Sequence, residues 1–480
     1  MIKRFFATKD SIITNAYKNL STSVRATGSN MGQADILEIF SLYGNATTSS
    51  SELARSLIQF PINSTISSSR TNKEIPASGS VKWYCKLYNV EHAETIPRQY
   101  YVQLGRVTKE WDEGYGLDTV NYSDSGSVNW INARSGSAWS SSGGDFTVIT
   151  QSYLETGLEN LEFDVSSYVE EMITSSSEYG FLLKLSGSHE TESRSYYTKK
   201  LSARGSEFWF SRPILEARWD DSKIDKRNNF VLSSSILSSS DNLNTLYLFN
   251  FWNGQFKDIA SLGSNQDSST KIYLKVHQNL SGSSAILLPS GGGVASNGDS
   301  TVTGSWVDVG VYSASFAFNS SSVSTIYDVW QKIDGTQIHS GTAITVNPVS
   351  LDENYYDSKM NVSMPGLKSE YAPQLQTFRL SIKERNSNPN LFTVSRAIQE
   401  FKFFDNAFYK VSRCSDGLDV IPYGTASLTK HTRLSFDKNG HNFKCDLSIL
   451  ESGYMYQFKF CIYDSSYFEE FPFDFRFKIK

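Results

Sequence analysis

The chain has 480 residues, with 45 Lys and Arg against 50 Asp and Glu for a formal net charge of −5, and 14% of it is aromatic. Without a basic surplus, nucleic acid and anionic lipid surfaces are excluded as expected partners, because both require clustered Lys and Arg. A disordered chain would be poor in aromatics, and the polar remainder of Ser, Thr, Asn and Gly points instead to strands joined by polar loops.

Residues 1–10 hold three basic residues, Lys3, Arg4 and Lys9, but no apolar run of signal-peptide length. No window approaches the roughly 18–20 apolar residues that would span a bilayer. The expectation is a soluble chain made in a cytoplasm, with no membrane insertion. Cys85, Cys414, Cys445 and Cys461 are too few and too scattered for a disulfide framework and read as reduced core residues.

In chain order, apolar runs at 36–40 and 57–60, a partly alternating stretch at 81–88 and a run at 101–104 read as short strands. A Gly-, Ser-, Asn- and Asp-rich loop follows from Trp111 to about Phe146. Loops longer than about 12–15 residues are uncommon in compact domains unless they are functional or tied down. Residues 161–165 read as a strand and 165–172 as one short Ser-capped helix. Strands at 180–185 and 213–219 then close a first module at 1–220.

The charged, apolar-poor stretch 221–229 is of linker type. Strands at 246–251, 271–276, 310–318 and 344–348, joined by Gly/Ser turns, suit a second module at 230–348. In a third, at 350–480, residues 375–383 and 454–460 alternate in phase, and Phe471, Phe473, Phe475, Phe477 and Ile479 alternate with polar residues and a proline. Exposed, that row would be an aggregating edge, so it must pack within the module or against a neighbouring subunit. The expected fold class is all-β, with three tandem antiparallel β-sandwich modules of jelly-roll or Ig-like type.

Catalytic signatures are missing. The six His are scattered without an HExxH pattern, and there is no G-x-S-x-G elbow, P-loop or dinucleotide fingerprint. No catalytic residue is assigned, and the chain reads as a non-enzyme. The long loop holds the best candidate chemistry. Trp111, Tyr115, Trp130 and Trp139 would suit a sugar-stacking platform; the alternative is that the Trp side chains anchor the loop to its sandwich. Asp112, Glu113 and Asp118, close to two glycines, offer the oxygens that calcium takes, or else form a solvated turn packed by its Trp and Tyr. The spacing is not that of an EF-hand, and no other cofactor is expected. Whether these carboxylates could pair for glycoside hydrolysis depends on a separation the sequence does not give.

Within 1–220, Asp10-Ser11-Ile12-Ile13, Ser29-Asn30-Met31-Gly32 and Arg55 ahead of Leu57-Ile58-Gln59-Phe60-Pro61 follow one another in order. Then come Trp111-Asp112-Glu113-Gly114, Asn129-Trp130, Trp139 with Gly143-Gly144-Asp145, Tyr179-Gly180-Phe181-Leu182-Leu183 and Ser211-Arg212-Pro213-Ile214-Leu215. This succession resembles the carbohydrate-binding β-sandwich family called DNRLRE-type. The whole chain is also similar to structural proteins of marine tailed bacteriophages, particularly contractile-tailed phages of cyanobacteria. Residues 1–10, 211–219 and 420–424 carry that second resemblance.

The phage resemblance implies a virion component of the tail, baseplate or neck region, assembled in the host cytoplasm. It would dock onto other virion proteins, as a symmetric oligomer or in several copies on a symmetric scaffold. The resemblance of the first module implies a different function, a carbohydrate-binding adhesin for host surface polysaccharide.

Overall fold

The computed structural model describes all residues except 45–47, 93–96, 124–125, 177, 194–195, 254, 281–283, 349–359, 385–400, 426–428 and 465–466. It divides into two compact units. One is Met1–Asp220 with Ala426–His431 and Ser448–Ser452; the other is Asp221–Thr425, Thr432–Leu447 and Gly453–Lys480. The module boundary expected near 349 lies outside the described residues. The protein is all-β, with nearly every strand pair antiparallel.

In the first unit a four-stranded sheet, ordered Ile2–Phe6, Ile214–Arg218, Lys82–Leu87, Leu161–Asp164, faces a seven-stranded one. The larger sheet runs Phe146–Leu154, Tyr100–Val107, Phe181–Leu185, Ser51–Gln59, Ile36–Tyr43, Tyr197–Ser202, with Lys9–Thr14 also paired to Ser51–Gln59. Alternation decides what lies between them. Trp83, Cys85 and Leu87 are the inward positions of their strand, and with Phe5 and Leu215 they meet Ile39, Ile58, Leu104 and Phe181 in one core.

The helix expected near 165–172 is Ser166–Ser175, but Val165 is its N-cap and no side chain caps it. The Ser166 hydroxyl is used elsewhere, accepting from the Trp83 N–H at 2.9 Å and donating to Asp164 at 2.6 Å. A helical stretch over Ile62–Ile66 and Ser67–Thr71 was not expected from its Ser/Thr-rich sequence. It is held by burial of Ile62 and Ile66, worth about 1.5–3 kcal/mol each.

In the second unit a seven-stranded sheet is ordered Leu243–Phe249, Val311–Ala317, Val302–Asp308, Lys271–His277, Thr325–Gln331, Gln337–Ser340, with Ile344–Thr345 on Thr325–Gln331. Leu246, Leu274, Val302, Phe316 and Trp330 fill its core. Two further sheets follow. Met360–Ser363, Leu375–Glu384, Gly440–Asp446 and Ser435–Asp437 form one; Glu370–Tyr371, Phe475–Ile479, Met455–Asp464, Ala407–Arg413 and Asp419–Ile421 form the other, to which Tyr467–Glu470 is added. Between these two sheets the core is aromatic: Phe378 lies 4.8 Å from Phe458, and Tyr409 stacks on Phe443 at 4.4 Å.

The terminal row of Phe packs within the chain itself, with Phe473 and Phe475 half-buried. Phe471, Phe477 and Ile479 are buried, and Phe477 stacks on Phe458 at 4.6 Å. The four cysteines are free, three of them buried. Among the described residues no helix is long and apolar enough to cross a membrane.

Candidate functional site

Three Trp side chains from the long loop of the first unit turn inward. Trp111, Trp130 and Trp139 are 0%, 7% and 5% exposed and form a small core with Ile13, Leu57 and Leu182. Each buried indole N–H in the pair Trp111 and Trp139 finds a backbone acceptor, Tyr179 O and Asn129 O respectively, both at 2.9 Å. Arg55 covers Trp130 at 5.1 Å while forming a double hydrogen bond to Glu190 and donating to Gly143 O. These rings therefore offer no face to a sugar, and the stacking role expected of them is corrected to that of anchors. Only Tyr115 of the expected platform is open, at 82% exposure.

The three carboxylates do not converge on a cation either. Glu113 Oε1 accepts from the Asp10 amide at 2.8 Å and from the Arg204 guanidinium at 2.9 Å. Asp118 turns back on its own loop, accepting from the Val120 and Asn121 amides at 2.8 and 2.7 Å and from the Asn121 side chain. Those Asn121 bonds lead the groups that hold its carboxyl below the usual range. Asp112 is exposed. Among the described residues no group of three His, Cys, Asp or Glu could hold a metal ion. The calcium expectation for Asp112, Glu113 and Asp118 is corrected accordingly.

This loop is nevertheless rigidly held. Asn30, 1% exposed, accepts from the Gly116 amide at 2.7 Å and donates to Glu113 O and Val128 O at 2.9 and 3.1 Å. Residue 116 must be glycine, because a Cβ there would lie 1.6 Å from the Asn30 carbonyl oxygen. On this fixed backbone Tyr115, Leu117 and Val120 stand 82%, 55% and 64% exposed. Buried Trp anchors thus position an apolar knob.

The second unit contains a cleft of about 540 Å³ that sequence reasoning missed. One wall comes from strand Leu243–Phe249, whose alternate residues Leu246 and Leu248 enter the core, leaving Tyr247 and Phe249 on the opposite face. Their rings stack at 6.1 Å and 19°, and Phe256 continues the row, 6.2 Å from Phe249. The facing wall is polar for the same reason of period 2. Phe378, Phe443 and Cys445 go inward, so Thr377, Arg379 and Asn442 line the cleft, together with Asp437.

Charge in this cleft is compensated in place. Arg227 bonds Asp225 at 2.6 Å and the fully buried Asp328; burial pushes the Asp225 carboxyl up to about 6 against the pull of Arg227. Lys223 and Lys444 share Asp308 at 3.2 and 3.6 Å, and Arg379 faces Asp437 at 3.4 Å. With Lys438 and Asp221, five cations stand against five carboxylates. At the cleft floor, residue 341 must be glycine, because a Cβ would fall 1.8 Å from Asp328 Oδ1. A hollow of about 690 Å³ on the first unit, by Thr108, Lys109 and Asp145, is less equipped. Its carboxylate is already bound by the Ser140 and Ser141 amides at 2.9 and 3.1 Å.

The architecture defines an all-β protein of packed antiparallel sheets, with an apolar knob on one unit and a mixed aromatic and polar cleft in the other. No protein-family model matches the chain, and no curated protein matches it. Among solved structures it is similar to a marsupial T cell receptor, at 15% identity over 50% of this chain and 68% of that one. The TM-score of 0.15 is too low for any argument to rest on the likeness.

Proposed function

We propose that the chain is a non-enzymatic structural component of a bacteriophage virion, in the tail, baseplate or neck region, that docks onto other virion proteins through its β-sheet modules. The observation that carries this reading is the knob of the first unit, where Tyr115, Leu117 and Val120 are exposed on a loop whose backbone Asn30 fixes. A preorganised apolar surface loses little conformational freedom on association, so more of its burial is realised as affinity. Interface hot spots are enriched in such aromatic anchors.

The similarity of the sequence to marine phage structural proteins supports the virion setting. The residues that carry the DNRLRE-type resemblance support a scaffold role for that module. Asp10, Asn30, Arg55, Trp111, Glu113 and Trp130 meet around one loop, bonding or packing it in place. A polysaccharide adhesin built on Trp111, Trp130 and Trp139 has no support, because those rings are buried.

Mass spectrometry of purified particles, fractionated into heads and tails, tests the reading. Recovery in the tail fraction at a multiple of three or six copies is expected, with recovery reduced in a Tyr115→Ala, Leu117→Ala double variant. Absence of the chain from particles would overturn it.

A further inference from the structure

We propose that the cleft of the second unit binds a short neutral oligosaccharide. The inference does not depend on the virion reading.

The cleft lies within the usual range of ligand pockets, roughly 300–1,000 Å³, at about 540 Å³. Its aromatic wall is specific in geometry. Tyr247 and Phe249 lie nearly parallel, 19° apart, and alternation along their strand turns both away from the core. Both rings are half-buried, with Phe256 beside Phe249, and both line the cavity. The ring face is electron-rich, and the flat C–H faces of a pyranose are complementary to it.

The opposite wall supplies hydrogen-bonding groups that both donate and accept. Thr377, Asn439 and Asn442 line the cleft, and their side chains make no hydrogen bond to other described residues. Amides and hydroxyls of this kind match sugar hydroxyls, which also donate and accept through one atom.

Electrostatics narrows the ligand class. Arg227 is held by Asp225 and Asp328, Arg379 by Asp437, and Lys223 and Lys444 by Asp308. Among the described residues Lys438 alone of the lysines and arginines lining the cleft has no ion pair, so an anionic glycan, a phosphate or an acidic peptide would have to break a pair to gain any second cation. A neutral polyol instead meets side chains already oriented by their ion pairs. The structure thus places an aromatic platform, uncommitted amides and a balanced field around one cavity.

The test uses the full chain on an array of neutral gluco-, galacto-, manno- and chito-oligosaccharides printed beside uronic-acid and sulfated ones, with titration calorimetry on each glycan that binds. Binding to at least one neutral oligosaccharide is expected, weakened about 10-fold or more by Tyr247→Ala and by Asn442→Ala, a change of about 1.4 kcal/mol. Tyr247→Phe should retain stacking and most of the affinity. Tyr115→Ala, in the other unit, should bind as the parent does, and far-ultraviolet circular dichroism checks that each variant is folded. Absence of binding to every neutral glycan, binding confined to acidic glycans, or binding unchanged in folded Tyr247→Ala and Asn442→Ala variants would each overturn the proposal. None of these outcomes bears on particle incorporation, so the two readings fail separately.

Discussion

Arg4 donates from Nε to Glu216 Oε2 at 2.6 Å across adjacent strands, and the two side chains are only 4% and 1% exposed. They stand directly opposite in register. Arg218 donates to the other carboxylate oxygen at 2.6 Å, and Lys86 lies 3.8 Å away. Burial alone would raise the Glu216 carboxyl, but Arg4, then Lys86 and Arg218, hold it well below the usual carboxylate range. Removing one member of a buried ion pair leaves its partners desolvated and uncompensated, at a cost of about 3–5 kcal/mol. Glu216→Gln should therefore lower the stability of the first unit by about that amount. Urea unfolding followed by Trp fluorescence measures it, and an unchanged midpoint would show that the cluster adds nothing over neutral packing.

Asn30→Ala should loosen the knob. The substitution strands the Gly116 amide and the Glu113 and Val128 carbonyls, and each buried polar group left unpaired costs about 1–3 kcal/mol. Hydrogen exchange should quicken at residues 113–121 while the strand Tyr100–Val107 keeps its protection. Equal exchange in parent and variant would mean that the loop is held by its Trp anchors alone.

His441, 0% exposed, accepts from the Phe404 amide through Nε2 at 3.1 Å. Burial brings its pKa down to about 4, against the upward pull of the Phe404 carbonyl, 3.4 Å from Nε2, and of Asp405 and Asp437. Between about pH 4 and 6.5 the unfolded chain takes up a proton that the folded chain refuses. Stability of the second unit is therefore full above about pH 6.5 and declines as the pH falls toward 4, by about 3 kcal/mol. His441→Gln keeps an acceptor but cannot be protonated, so its Tm should vary less over this window than the parent's. Parallel Tm profiles for the two proteins would sink the assignment.

Much of the fold was legible because period-2 alternation is a direct imprint of a two-faced strand. Phe477 and Ile479, or Phe378 and Leu380, disclose their buried face by spacing alone. What composition does not disclose is whether a loop aromatic points in or out. Trp111 and Trp139 turned inward because backbone carbonyls of Tyr179 and Asn129 were there to take their N–H groups, partners that no local pattern announces. The cleft was hidden for another reason, since Tyr247 and Asn442 are far apart in sequence. A signal existed in strand Leu243–Phe249: with Leu246 and Leu248 filling the core positions, the aromatic rings at 247 and 249 had to lie on the outer face.

Asp10 gives a pH effect of opposite sign in the first unit. It is 2% exposed, and its carboxylate accepts from the Arg204 amide. Burial raises its pKa to about 7, although the Arg204 amide bond and charge pull it down, and the Glu113 carboxylate adds to the rise. Between about pH 4 and 7 the folded chain then holds a proton that the unfolded chain has released. Stability contributed by this group is present at low pH and falls as the pH climbs toward 7, by about 4 kcal/mol. Asp10→Asn mimics the protonated carboxyl, so the variant should gain on the parent as the pH rises and match it near pH 4. Urea midpoints for the first unit at pH 4, 5.5 and 7 decide the matter. A constant difference across the three would mean that Asp10 stays ionised in the folded chain, held by Arg204 despite its burial.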